Sequence, residues 1–207
     1  MTIVRLSWET AHLHGETWIS HHRLRHRLFV ERQGWDVPTV YGLEYDEFDT
    51  PAAQYLLWAD NAGDARGVVR LLPTVRPYML KKLWPDMISG KLPESDSVWE
   101  ATRFGCDQSL GPAIRRKAVA EMLCAMQEFG IAHGIKLYLA VMPVRLLKCV
   151  VVKAGCEVKV LGAARLVGRF PTVAAYLTVS AEVLGELRRR AAVAGPVLLH
   201  NDVSIAA

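Results

Sequence analysis

Val98-Trp99-Glu100-Ala101-Thr102-Arg103-Phe104-Gly105-Cys106 is the stretch on which the reading of this chain turns. It has the composition of a strand, in which alternate side chains point to opposite faces. That alternation predicts Val98, Glu100, Thr102 and Phe104 on one face and Trp99, Ala101, Arg103 and Gly105 on the other. A carboxylate and a guanidinium within an apolar strand are costly to bury unless each finds a partner. Taken alone, the stretch also suits an edge strand with one solvated face. The next residues favour a functional site. Asp107-Gln108-Ser109-Leu110-Gly111-Pro112-Ala113 is a turn that opens directly into a long helical pattern. A strand, a glycine-bearing turn and a helix start together present backbone N–H groups to an anion.

Working outward, Thr2 to Trp8 reads as a first strand and Gly15 to Arg32 as a basic helix. That helix has Trp18, Ile19, Leu24, Leu28 and Phe29 as its apolar stripe. Gln33 to Asp49 is a loop carrying Trp35, Tyr41, Tyr45, Asp46, Phe48 and Asp49, and so many large groups suggest a lid or pocket wall. Gln54 to Ala59 and Gly67 to Leu72 form a hairpin around Asp60-Asn61-Ala62-Gly63-Asp64. Pro73 to Pro93 is irregular. After the core strand, Pro112 opens a helix to about His133, with Val119, Met122, Leu123, Met126 and Phe129 buried. Ile135 to Met142 is a continuous apolar strand, hence central in a sheet. Pro143 opens a helix through Lys153 that Gly155 ends. Cys156 to Leu161 and Ala174 to Val179 are later strands, Ala181 to Ala194 a final helix, and Gly195 to Ala207 has little pattern. The sum is an α/β chain with a mostly antiparallel sheet flanked by helices.

At 207 residues, 51% hydrophobic and 22% charged, the chain is read as one folded domain over 1–207. A net charge of +4 suits an anionic small substrate or an acidic partner and argues weakly for nucleic acid. No apolar run nears the roughly 20 residues that span a bilayer, so no membrane partner is expected. With no secretory pattern after Met1 and four cysteines at irregular spacing (Cys106, Cys124, Cys149, Cys156), reduced thiols in a cytoplasmic protein are expected.

In this order, Arg25-x3-Phe29-x5-Trp35, Asp46-x2-Asp49, Arg70 and Glu100-x2-Arg103 resemble the LuxI-type acyl-homoserine-lactone synthases. The resemblance covers roughly Arg25 to Phe104. No single piece is specific; the ordered set of charged and aromatic residues is. One departure is Trp84 in Leu83-Trp84-Pro85, where the family usually has phenylalanine, a swap that keeps an aromatic wall and adds bulk.

The resemblance implies a fold like that of the GCN5-related N-acetyltransferases and a two-substrate reaction. The amine of S-adenosylmethionine attacks an acyl thioester; the methionine carboxylate then displaces methylthioadenosine and closes the lactone. Beyond these substrates no cofactor is expected. Glu100 is then a candidate general base, direct or through water, with Arg103 beside it, and the other reading is that Glu100 only balances Arg103 or Arg70. Arg25, Phe29, Trp35, Asp46, Asp49, Arg70 and Arg103 would shape the S-adenosylmethionine site, with the charged members in a buried ionic network. Phe29 and Trp35 would offer aromatic faces to a sulfonium, or simply fill core.

Gln108-x2-Gly111-x-Ala113 looks like the pyrophosphate cradle of coenzyme A-dependent acetyltransferases, with Arg115, Arg116 and Lys117 just behind it. Trp84, Val141 and Met142 are candidates for the acyl pocket, with plain sheet core as the other reading for the last two. On this basis the favoured donor is acyl-CoA with a short, branched (such as isovaleryl) or aryl group. The alternative donor is acyl carrier protein, for which the basic run would be a docking patch. Two further classes stay open: a coenzyme A-dependent N-acyltransferase acting on another amine, and a non-enzymatic binding module. His21, His22 and His26 lack a matched carboxylate or cysteine spacing for a metal and read as a solvated basic face. Arg188-Arg189-Arg190 reads as a solvated helix end.

Overall fold

A computed structural model describes residues 2–198 of the chain. The last part of the patternless segment predicted from Gly195, residues 199–207, lies outside the described residues. In chain order the strands are β1 (Thr2–Leu6), β2 (Thr39–Val40), β3 (Leu43–Glu44), β4 (Gln54–Ala59), β5 (Ala65–Pro73), β6 (Val98–Cys106), β7 (Leu137–Pro143), β8 (Val158–Val160), β9 (Arg165–Val167) and β10 (Phe170–Thr178). The helices are α1 (Gly15–Arg25), α2 (Met79–Leu83), α3 (Pro112–Ala132), α4 (Val144–Leu146) and α5 (Ala181–Ala191). α1 runs on into a π-helical stretch over His26–Glu31, and α4 into another over Leu147–Val152.

The main sheet runs β1-β4-β5-β6-β7-β10-β8, with β9 also on β10, while β2 and β3 pair as a separate hairpin. Every main-sheet pairing is antiparallel except β6 with β7. α3, α4 and α5 cover one face, where Met122, Met126 and Phe129 pack with Leu56, Trp58 and Val69. α1 and α2 cover the other, where Leu24, Leu28 and Leu80 pack with Tyr55, Leu57 and Val68. The Asp60–Asp64 turn closes as its residues predict: Asp60 Oδ1 accepts from the Ala62 and Asp64 N–H groups, and Gly63 takes a positive φ of 88°. α5 starts where Ser180 Oγ accepts the Val183 N–H.

Two features of β6 shape the molecule. First, its parallel pairing with β7 covers only Val98–Glu100 against Leu137–Leu139. Both strands continue beyond that point without pairing with each other. Second, β6 carries a bulge. Gly105 faces Val68 and Thr102 faces Arg70, so Arg103 and Phe104 together oppose Val69. Arg103 absorbs the extra residue with φ at 55°, in the left-handed region that a side chain resists. The predicted alternation therefore holds to Thr102 and inverts after it. Phe104 and Cys106 join Ala101 and Trp99 on the α3 face, while Arg103 and Gly105 turn to the face of Glu100. The bulge brings Glu100 and Arg103 onto one side, against the simple strand reading.

Other expectations need smaller corrections. The irregular Pro73–Pro93 segment holds α2 and a short turn over Pro85–Met87. The hairpin strand predicted from Gly67 begins at Ala65, and β9, a three-residue strand, went unpredicted. The basic helix buries Ser20, His21, His22 and Arg25, so the expected solvated face of His21 and His22 is an interior face.

Gly162 tests how closely the segment before β9 seats on the Pro85–Met87 turn. A Cβ there would stand 2.5 Å from the Met87 carbonyl oxygen, whereas one at Gly185 in α5 would meet nothing within 4 Å. Gly162→Ala is expected to cost about 1–3 kcal/mol, and Gly185→Ala to gain about 0.5–1 kcal/mol from helix propensity. Thermal unfolding of the two variants should shift in opposite directions.

Candidate active site

The loop from β3 to β4 folds down on the α1 face of the sheet and closes a ring of alternating charges. Arg25 Nε binds Glu44 Oε2 at 2.5 Å, and its two terminal nitrogens take both Asp49 oxygens at 2.7 and 2.8 Å. Arg70 takes both Asp46 oxygens at 2.5 and 2.9 Å and Asp49 Oδ1 at 2.9 Å. Arg103 Nη2 binds Glu44 at 2.8 Å and Asp46 at 2.7 Å. The cycle Arg25–Glu44–Arg103–Asp46–Arg70–Asp49–Arg25 thus contains three guanidiniums and three carboxylates. Arg25, Arg70 and Glu44 are fully buried and Arg103 is 4% exposed. Tyr55 Oη donates to Asp49 Oδ1 at 2.6 Å, and Arg70 Nε donates to Thr102 Oγ1 at 3.0 Å.

Electrostatics here is a contest between burial and pairing. Burial opposes ionisation of Asp49 and Glu44. The guanidiniums of Arg25 and Arg70 on Asp49, and of Arg103 and Arg25 on Glu44, outweigh it and hold both carboxyls below their usual range. Burial likewise opposes the charges of Arg25 and Arg70, and their carboxylate partners overcome it.

The aromatic pair sits on the same ring. Phe29 and Trp35 stack with centroids 4.9 Å apart, and the Arg103 guanidinium lies 5.5 Å and 5.2 Å from them. All seven residues of the expected S-adenosylmethionine set are therefore brought together. Glu44 completes the ring and was missed. Its signal was present, since Glu44 and Asp46 are two apart at strand spacing and belong on one side of the chain.

Glu100 has a different partner from those expected. It pairs with neither Arg70 nor Arg103. Its two oxygens accept the backbone N–H groups of Met79 and Leu80 at 2.8 and 2.7 Å, at the start of α2. Met79 then places its sulfur against Arg70 Nη2 at 3.3 Å and Arg103 Nη1 at 3.5 Å, linking the carboxyl to the ring. Glu100 is 1% exposed. Burial pushes its pKa up to about 7, against the two N–H bonds and Arg70, which pull it down.

A groove of about 1270 Å³ opens beside the end of β6. Its walls are Leu28, Phe29 and Arg32 after α1, Phe104 to Cys106 on β6, the start of α3, and Leu146, Cys149 and Lys153 around α4. Phe29 belongs both to this groove and to the charged ring. Of the expected donor residues, Gln108 and Arg115 line it. Gln108 Nε2 donates to the Cys106 carbonyl, and Arg115 folds back to donate to the Gln108 and Leu110 carbonyls. Arg115 thus braces the turn. Gly111 leads into α3 with Pro112 at its first position and Ala113 next, and a Cβ at Gly111 would meet nothing within 4 Å. Val141 and Met142 are split: Val141 packs on the α1 side with Trp84, and Met142 packs on the α3 side. One acyl pocket does not take both side chains from the same face.

Among the described residues, no cluster of His, Cys, Asp and Glu is arranged to hold a metal ion. No described helix is long and apolar enough to cross a membrane. Arg188, Arg189 and Arg190 are paired with Glu128 or Glu186.

Comparison with known proteins agrees with this geometry. The autoinducer synthase family matches residues 11–187. The acyl-homoserine-lactone synthase of Ralstonia solanacearum is 33% identical over 84% of this chain and 89% of its own. That of Aeromonas hydrophila is 37% identical over 58% of this chain, which spans only 59% of that relative's length. The solved structure of BjaI, a CoA-dependent acyl-homoserine lactone synthase, superposes with a TM-score of 0.87 at 27% identity, over 96% of this chain and 92% of that one. The chain belongs to the autoinducer synthase family. A Lactobacillus plantarum N-acetyltransferase structure, at 14% identity and a TM-score of 0.57, shares the fold alone.

Removing one member of a closed ionic ring leaves its neighbours charged and buried. Arg70→Ala leaves Asp46 with Arg103 and Asp49 with Arg25 as their remaining cationic partners and the ring one carboxylate charge in excess, and is expected to cost about 3–5 kcal/mol. Thermal unfolding should report a much lower midpoint or loss of soluble protein. An unchanged midpoint would show that the ring holds nothing together.

Proposed function

We propose that this chain is an acyl-homoserine-lactone synthase that makes a quorum-sensing signal from S-adenosylmethionine and an acyl thioester. The observation that carries the reading is the junction at Phe29, where a charged ring with stacked aromatics meets a long groove beside a cradle-like turn. A plain N-acyltransferase acting on another amine has no need of the ring. In this reading the ring and the Phe29–Trp35 pair hold S-adenosylmethionine, and the groove holds the thioester arm. Glu100 accepts a proton from the substrate amine, directly or through a water, as the amine attacks the thioester carbonyl. The C–S bond of the thioester breaks and the thiol leaves. The methionine carboxylate then attacks its γ-carbon, the bond from that carbon to sulfur breaks, and methylthioadenosine departs.

Acyl-CoA is the favoured donor, with a short, branched or aryl acyl group. The open approach at Gly111, the braced turn and the cations at the groove support it, as does the similar BjaI structure, described with isopentyl-CoA and S-adenosylmethionine. The residues at the groove's mouth, Arg115, Arg116 and Lys117, could instead meet an acidic carrier helix. The comparison that decides is catalytic efficiency on one acyl group presented both ways. A carrier-borne form favoured tenfold or more, about 1.4 kcal/mol in transition-state binding, overturns the CoA reading.

Incubation with S-adenosylmethionine and acyl-CoA should release methylthioadenosine and a lactone, followed by mass spectrometry. Glu100→Gln should slow amide formation by about 10²–10⁴-fold with the fold intact. The base must be ionised, so kcat/KM should rise with pH and level off above about 7, and that acid limb should disappear in Glu100→Gln. Near-normal turnover in the variant would leave Glu100 as a brace for α2 only.

A further inference from the structure

His22 is fully buried on α1 and is used by none of the chemistry above. Its Nδ1 lies 2.8 Å from the Glu44 carbonyl oxygen. A carbonyl only accepts, so Nδ1 carries the proton and donates it. The ring stacks on Tyr45, with centroids 3.7 Å apart and planes 23° apart, and the tilted His21 ring lies 3.9 Å from it.

Glu44 needs such a hold. It ends β3, which pairs with β2 through only two residue pairs, Thr39 with Glu44 and Val40 with Leu43. An isolated two-stranded hairpin is marginal in water. Its tip is exposed, with Tyr41 fully open and both Tyr41 and Gly42 at positive φ. Yet the Glu44 carboxylate must stand between Arg25 Nε and the Arg103 fork. The His22 bond fixes the Glu44 backbone from the helix side.

We infer that His22 is a positioning residue for the S-adenosylmethionine site, acting through Glu44 to set the Arg25 and Arg103 guanidiniums; the inference rests on the function proposed above. The groups around His22 are Arg25 and His21 on α1, Glu44 on β3, Tyr45 and Asp49 in the descending loop, and Tyr55 on β4. Burial and the nearby Arg25 hold its pKa down at about 4, so at neutral pH the ring is neutral and its one proton is the Nδ1 proton that the Glu44 carbonyl accepts. The strut is insulated from pH rather than switched by it.

The test uses S-adenosylmethionine alone, titrated calorimetrically into the full chain. His22→Phe keeps a flat ring on Tyr45, deletes the donor, and removes Nε2, which is buried without a partner. Its melting temperature should hold or rise, while affinity for S-adenosylmethionine falls about 2- to 12-fold, the range for one lost hydrogen bond. His22→Asn, which can offer an N–H near the Nδ1 position, should return affinity toward the wild-type value. In turnover, KM for S-adenosylmethionine should rise in His22→Phe and KM for the acyl donor should not. Equal affinity in His22→Phe and wild type overturns the inference alone, as does a loss of affinity that merely tracks a loss of melting temperature. A wild-type chain that binds no S-adenosylmethionine overturns the functional reading and this inference with it.

Discussion

Three guanidiniums and three carboxylates are buried side by side on one face of the sheet, and everything around them answers to that fact. No member is tolerable there alone, because desolvating a single unpaired charge costs several kcal/mol. In alternation each charge lies between two of opposite sign, and the cycle sums to zero. The members come from α1, from β3 with the loop that follows it, from β5 and from β6, so the ring also ties four separate parts of the chain to one point. The descending loop is also anchored by Phe48 and Ala53 in the core and by Tyr45 stacked on His22. Its carboxylates also brace it locally, Asp49 accepting the Asp46 N–H and Asp46 the Phe48 N–H.

The ring is possible only because β6 breaks its own alternation. In a regular strand Glu100 and Arg103 would face opposite sides of the sheet. The bulge at Arg103 and Phe104 turns the guanidinium toward Glu44 and Asp46, and sends Phe104 to the α3 side. The positive φ of Arg103 is the strained element, and three short contacts to two carboxylates offset it. The same bulge leaves Gly105 against Leu28, where a Cβ would come within 2.8 Å, so β6 and the π-helical stretch after α1 approach closely. That approach places Phe29 where the ring and the groove meet.

Much of this was legible in the residues. The bounds of β6 and the start of α3 follow from apolar patterning and from Pro112, and five charged members of the ring are named by their order along the chain. What alternation could not show was the bulge, since nothing in Arg103-Phe104 announces a positive φ. Glu44 was passed over among four acidic residues within six positions of loop. His21 and His22 read as a solvated face because helix periodicity ranks side chains by polarity, and their cover comes from Tyr45 and Tyr55, distant in sequence. Val141 and Met142 are adjacent on a strand, so pleating alone forbids them a shared face.

Glu100 shows how the ring bears on chemistry without touching it. A carboxyl this deeply buried would by itself stay protonated well above its usual range. Two backbone N–H groups and the field of Arg70 pull the other way, and the balance leaves it near neutrality. Arg70 can supply that field only while Asp46 and Asp49 keep it buried at a fixed place, and Asp46 itself pushes the Glu100 pKa up. Met79 transmits the geometry: its N–H holds Glu100 and its sulfur rests on two guanidiniums of the ring. In this chain the Glu100 pKa is set chiefly by burial against two amides, and the ring adds only the smaller, opposed effects of Arg70 and Asp46.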